Sequence, residues 1–166
     1  MSTLTAEVAV LAPGEGQVVQ LLGATMIFKA LSGVGATDFL VGEFTAQPGF
    51  ATAGPHLHRH VEELFYIVEG VFDFFIGDHV ERVDPGAFVT VPPGVLHDFR
   101  NPGQVPARWL GIAAPGGLEH YFEDVQQLVE QGQLTPEAMR SLRLRYGTEE
   151  PDEPPAGHWG APLMTP

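Results

Sequence analysis

The chain has 166 residues, 21 acidic against 8 basic side chains for a formal net charge of −13, and no cysteine. Such a charge repels the phosphates of nucleic acid and of anionic lipid, so neither is an expected partner. The lack of thiols excludes Cys-ligated zinc and iron–sulfur centres and leaves imidazole and oxygen as the donors open to a metal.

The N-terminal stretch MSTLTAEVAVLAPGEG has no basic n-region, and its apolar run from Val8 to Ala12 is too short for a signal-peptide core. The sequence contains no unbroken apolar run of about 18 residues, the length a membrane span requires. A cytoplasmic, non-membrane protein is therefore expected. Hydrophobic residues at 44%, with 11 Phe, suit one folded domain with an aromatic-rich core.

From Gln17 to about Ala113 the chain reads as short runs of Val, Ile, Phe, Leu and Thr punctuated by Gly, Pro and Asp, the rhythm of an all-β sandwich or barrel. Glu69-Gly70, Gly77-Asp78 and Asp84-Pro85-Gly86 separate four strand-like runs, and turns this short make neighbouring strands antiparallel. Period two puts Glu63, Phe65 and Ile67 on one face of a strand and Leu64, Tyr66 and Val68 on the other. Both faces are apolar, so both are expected to be covered, which motivates a homodimer.

Beyond Pro115-Gly116-Gly117 the period changes. Leu118, Tyr121, Phe122, Val125, Leu128 and Val129 form the stripe of an amphipathic helix. Thr135-Pro136-Glu137 announces a second helix with an N-cap, Pro at N1 and an acid in the first turn, closed by Arg143, Arg145 and Gly147. Both helices, between 118 and 146, are expected to pack on the barrel. The segment 148–166 is Pro-rich and acidic, and a flexible or loosely docked tail is expected after a single domain over 1–147.

Seven histidines are present, three of them in PHLHRHVEE. His56 and His58 are two apart, which on an extended strand sets both imidazoles on one face, able to converge on one ion. Glu63 offers a hard anionic donor beside them, and His97 follows a Pro-Pro-Gly turn. An HxH pair by itself is as readily an ordinary strand motif as a metal site.

These residues resemble the cupin pattern. Its first motif, HxH, four residues, Glu, six residues, Gly, is matched by His56, His58, Glu63 and Gly70. Its second, Gly, five residues, Pro, one residue, Gly, two residues, His, three residues, Asn, is matched by Gly86, Pro92, Gly94, His97 and Asn101. One position departs: where the family often has Gly six residues before the first His, this chain has Phe50. The resemblance implies a double-stranded β-helix, or jelly-roll barrel, with one divalent transition metal (Fe, Mn, Ni, Cu or Zn) on His56, His58, Glu63 and His97. His60 is expected beside the site or in solvent, and His79, His120 and His158 on the surface.

Pro115-Gly116-Gly117, Tyr121-Phe122 and Arg145-Tyr146-Gly147 make the chain look like the bacterial quercetin 2,3-dioxygenase-like cupins. That likeness implies an oxygenase-type enzyme for a small hydroxylated aromatic substrate, with dioxygen as co-substrate and Glu63 as catalytic base. Two other readings stand beside it. One is a non-catalytic metal- or ligand-binding sensor. The other is a metal-dependent isomerase or decarboxylase of a small acid, which needs a basic anchor from among residues such as Arg59, Arg82, Arg100 or Arg108.

Overall fold

Alternating burial along short runs, broken by turn residues, divides the chain into strands before two helices close it. The computed structural model describes residues 8–33 and 38–159. In chain order the first strands are β1 (Gln17–Leu21), β2 (Ala24–Ala30), β3 (Leu40–Ala46), β4 (Leu57–His58), β5 (Glu62–Glu69) and β6 (Phe72–Ile76). They are followed by β7 (His79–Val83), β8 (Phe88–Val91), β9 (His97–Arg100) and β10 (Ala107–Ala114), then α1 (Leu118–Glu130), α2 (Pro136–Arg145) and β11 (Thr148–Glu149).

Two sheets result, of six strands in the order β1-β2-β3-β10-β5-β8 and of three in the order β7-β6-β9, while β4 and β11 form a separate pair. All pairings are antiparallel. Period-two alternation turns Phe28, Phe44, Phe65, Ile67 and Trp109 of the large sheet and Phe72 and Phe74 of the small sheet into one shared core. Phe44 stacks on Trp109 at 4.9 Å between centroids, and Phe65 meets Phe74 edge-on at 5.1 Å. This is the all-β jelly-roll with two C-terminal helices that the motifs imply.

Two glycines show how tight the packing is. At Gly70 the backbone has φ of 74° and a Cβ would lie 2.7 Å from the Cα of Ala107, so the β5–β6 turn accepts no side chain. At Gly111 a Cβ would meet the ring of Phe44 at 2.6 Å, so the missing side chain makes room for that ring.

The helices sit over β1 and the barrel mouth. Val125, Met139 and Leu142 are buried together, with Leu21, Ala53 and Tyr121 packed against them. No side chain caps α1 at Gly117. Instead the buried Glu119 carboxylate accepts from the backbone N–H of Gly117 and of Ser32, tying the helix start to the segment after β2. The cap of α2 is the expected one, Thr135 Oγ1 accepting from Ala138 N at 3.1 Å.

The structure corrects the sequence reading at His158, which is not on the surface, and adds detail at two other places. Tyr66 and Val68 on the outer face of β5, with Phe88 on the edge strand β8, are 44%, 47% and 57% exposed, so that face is open in a single chain. Residues 148–159 lie against the barrel, Thr148–Glu149 pairing with β4 and the His158 side chain being buried, whereas His79 and His120 are exposed as expected. Proline-rich segments lack any periodicity from which such docking could be read. The tail beyond 159 and the N-terminal residues 1–7 lie outside the described residues. Among the described residues no helix is long and apolar enough to cross a membrane.

Candidate metal centre

Four side chains from three strands and one bridge converge inside the barrel. His56 and His97 exchange backbone hydrogen bonds of 2.9 and 2.8 Å, which sets His56 beside the start of β9. His58 ends β4, and Glu63 stands in β5 facing inward. One ligand atom from each of His56, His58, Glu63 and His97 lies within 4.8 Å of all the others. The expected ligand set is thus brought together, while His60 is exposed and outside it.

The hydrogen bonds fix which nitrogen faces inward. His56 Nδ1 donates to the Gly54 carbonyl and His97 Nδ1 to the Val95 carbonyl, each at 2.9 Å. A carbonyl can only accept, so both rings carry the proton on Nδ1. His58 Nδ1 lies 2.9 Å from Thr148 Oγ1, which can play the same part. The Nε2 atoms of His97 and His58 then meet Glu63 Oε2 at 2.9 and 3.1 Å. A neutral Nε2 is an acceptor and so is the carboxylate oxygen. Acceptors facing one another at this distance are stabilised by a cation between them, which is the fit test a divalent ion has to meet.

The electrostatics act differently on the members of the cluster. Burial lowers the proton affinity of His56, and His97, Arg143 and His58 lower it further, so this imidazole stays neutral, the form that ligates. For His97 burial acts to lower the pKa, but the adjoining Glu63 carboxylate outweighs it and the net shift is upward. Burial likewise acts to raise the carboxyl pKa of Glu63, yet the adjoining imidazoles of His58 and His97 hold it well below the usual range. That direction is opposite to the near-neutral proton affinity expected of a catalytic base.

His56, His58 and Glu63 of the cluster open on a cavity of about 200 Å³. Its walls are largely apolar, with Phe50, Phe99 and Trp109 from the barrel and Tyr121, Phe122 and Met139 from the helices. Two polar residues of this wall escaped the sequence reading. Thr148 supports His58 across 90 residues of sequence, with no local pattern to betray it. Arg143 was legible only as a cation closing α2, yet it lines the cavity with its side chain 4% exposed. The arginines near the motifs do not line it: Arg59 is held by Glu149, Arg82 and Arg100 by Asp73, and Arg108 by Glu69.

Comparison with known proteins gives a consistent picture. A family model described as the cupin domain matches residues 42–114. The chain is 26% identical to the quercetin 2,3-dioxygenase of Bacillus subtilis over 81% of its own length and 39% of that protein's. Among solved structures, the polyketide cyclase RemF from Streptomyces resistomycificus is 27% identical, with a TM-score of 0.50 over 61% of this chain and 69% of that one. A predicted oxalate decarboxylase from Thermotoga maritima superposes with a TM-score of 0.57 at 16% identity, over 65% of this chain and 99% of the other. The chain spans between 16% and 62% of the lengths of the five curated relatives it matches.

Proposed function

We propose that this chain, whose residues 42–114 are a cupin domain, is a metal-dependent enzyme that acts on a small hydroxylated aromatic substrate in the manner of a dioxygenase. The observation that carries this reading is a cluster of three imidazoles and one carboxylate opening on a cavity walled by aromatic and aliphatic side chains. The matched quercetin 2,3-dioxygenase supports it.

His56, His58, Glu63 and His97 would hold the divalent ion, which supplies Lewis-acid activation of a substrate hydroxyl and, if redox-active, electron exchange with dioxygen. The chain's own residues do the rest. The Nδ1 contacts to Gly54, Thr148 and Val95 keep the three rings from turning, so the donor atoms stay converged. The apolar wall accepts a flat ring and excludes water from it. Glu63 makes its imidazole contacts through Oε2, leaving Oε1 as the oxygen toward which a substrate hydroxyl can pass its proton. Its depressed pKa keeps it ionised, the state a base starts from, and restricts it to hydroxyls that are themselves acidic, as those of flavonols and catechols beside a cation are.

The test combines metal analysis of the purified protein with oxygen uptake on flavonols and catechols, in wild type and Glu63→Gln. One divalent ion per chain and measurable uptake are expected, with the variant keeping much of its metal through three histidines but losing about 10²-fold or more in turnover. A zinc-loaded protein with no uptake on any of these substrates overturns the oxygenase reading. Turnover that survives the substitution removes Glu63 from the proton step.

A further inference from the structure

The cavity that holds the candidate metal centre also contains a cation whose hydrogen-bonding capacity is largely unused. Arg143 projects from the last turn of α2 into a space whose other helix-borne wall residues, Tyr121, Phe122, Val125 and Met139 among them, are apolar or nearly so. A guanidinium carries five N–H donors. Among the described residues Arg143 donates from Nη1 to Glu150 Oε2, while its Nε is buried and finds no partner.

A structural role covers only part of this. The Glu150 pair ties α2 to the segment after β11, but Glu150 is shared with Arg140, whose side chain is 66% exposed and could hold the same carboxylate from solvent. Leaving a donor of a charged group unmade inside an apolar cavity costs about 1–3 kcal/mol or more. A partner arriving with a ligand relieves that cost. The position is also the right one, since Arg143 lines the same cavity as His56, His58 and Glu63.

We propose that Arg143 is the anion anchor of this cavity: it selects ligands that join an apolar, ring-like body to an ionised oxygen, a carboxylate or a phenolate, and orients them with the ring toward the His56, His58, Glu63 and His97 cluster. The assignment rests on the cavity being the substrate site, as proposed above, but not on oxygen chemistry. A planar guanidinium with free donors in a dry site binds such oxygens with charge-assisted hydrogen bonds and discriminates strongly against neutral isosteres.

The experiment is equilibrium binding, by calorimetry, of 2-naphthoate and its neutral isostere 2-naphthamide to the full chain, both metal-loaded and chelator-treated. Wild type is expected to favour the carboxylate by at least about tenfold in both states. Arg143→Met should erase that preference while still binding the amide, and Arg143→Lys should restore part of it. Should the Met variant fail to fold, Glu150→Gln provides the opposite test: freeing the guanidinium from its competing carboxylate should tighten naphthoate several-fold and leave naphthamide unchanged. Titrating benzoate and 4-nitrophenolate separately at pH 8 decides between the two oxygen sources, the tighter of the two naming the group. Equal binding of acid and amide by wild type overturns the proposal. So does a preference that survives in Arg143→Met, an unchanged naphthoate affinity in Glu150→Gln, or a preference that vanishes with the metal, which would put the anion on the ion instead. Oxygen uptake is not read here, so a protein without oxygenase activity can still have this anchor, and an active one can lack it.

Discussion

Strand β9 carries polar residues on both of its faces, and the two clusters they join are built differently. Inward, His97 joins His56, His58 and Glu63; outward, Asp98 joins the tail, and Asp73 stands on the neighbouring β6 two residues from Phe75, the register partner of Asp98. On the outer face both carboxylates are matched. Asp73 accepts from Arg82 Nε at 2.8 Å and Arg100 Nη2 at 3.0 Å, and Asp98 accepts from His158 Nε2 at 2.8 Å, Phe99 N at 2.7 Å and the Thr52 hydroxyl. On the inner face the Nδ1 positions are matched, but the Nε2 atoms and Glu63 Oε2 confront one another. A cluster whose carboxylates all meet donors holds the fold together. One whose acceptors meet has the donor set that could hold a cation.

The largest effect that can break this contrast comes from the inner cluster. His97→Ala should lower metal stoichiometry and, with it, the rise in Tm that added metal produces. An ion binding only the folded chain stabilises it by about 4 kcal/mol at a thousandfold excess over Kd. Metal titration followed by thermal unfolding reads both quantities. An undiminished stoichiometry would take His97 out of the ligand set and leave the inner cluster a structural one.

A smaller effect is expected outside. Asp73→Asn should cost about 1–2 kcal/mol, roughly 3–6 °C in Tm for a chain of this size, with metal stoichiometry unchanged. Burial acts to raise the Asp73 carboxyl pKa, but Arg82 and Arg100 outweigh it and the native value lies below the ordinary one. A depressed carboxyl pKa stabilises the fold above the unfolded value of about 3.9 and ceases to do so as pH falls through the native value. The stability gap between wild type and Asp73→Asn should therefore be level at neutral pH and close in acid. Denaturant titrations from pH 7 down to pH 3 check this, and a gap that widens in acid contradicts it.

The smallest effect is expected at the tail. His158 packs edge-on against Phe75 at 5.1 Å between centroids, and the ring of Trp159 lies 4.7 Å from the Arg100 guanidinium carbon. His158→Ala should cost about 1 kcal/mol and leave metal content alone. A loss of bound metal in this variant would show that Asp98, adjacent to His97, transmits strain inward, and the two faces would no longer be separable.

Much of the fold and of the candidate site was legible because it follows from local periodicity. Period two along Glu63, Phe65 and Ile67 sends the carboxylate inward with the core residues, and the HxH spacing does the same for His56 and His58. The turn at Gly70 is dictated by a positive φ that glycine alone adopts freely, and the helix stripe from Leu118 to Val129 by a period of 3.6. These are properties of a few consecutive residues, and a sequence displays them.

What surrounds the site was decided only by tertiary structure. Thr148 reaches His58 from 90 residues away, His158 reaches Asp98 from 60, and Arg143 enters the cavity because α2 happens to lie across the barrel mouth. No periodicity marks a residue that acts through one long-range contact, and a terminal arginine on a helix reads first as a complement to the helix dipole. The open outer face at Tyr66, Val68 and Phe88 belongs here too, since alternation says that a strand has two apolar faces but not which of them the rest of the chain covers. Sequence by itself therefore determined the barrel and the convergence of four donor side chains. The supports of those side chains and the cation that shares their cavity depended on where distant segments came to rest.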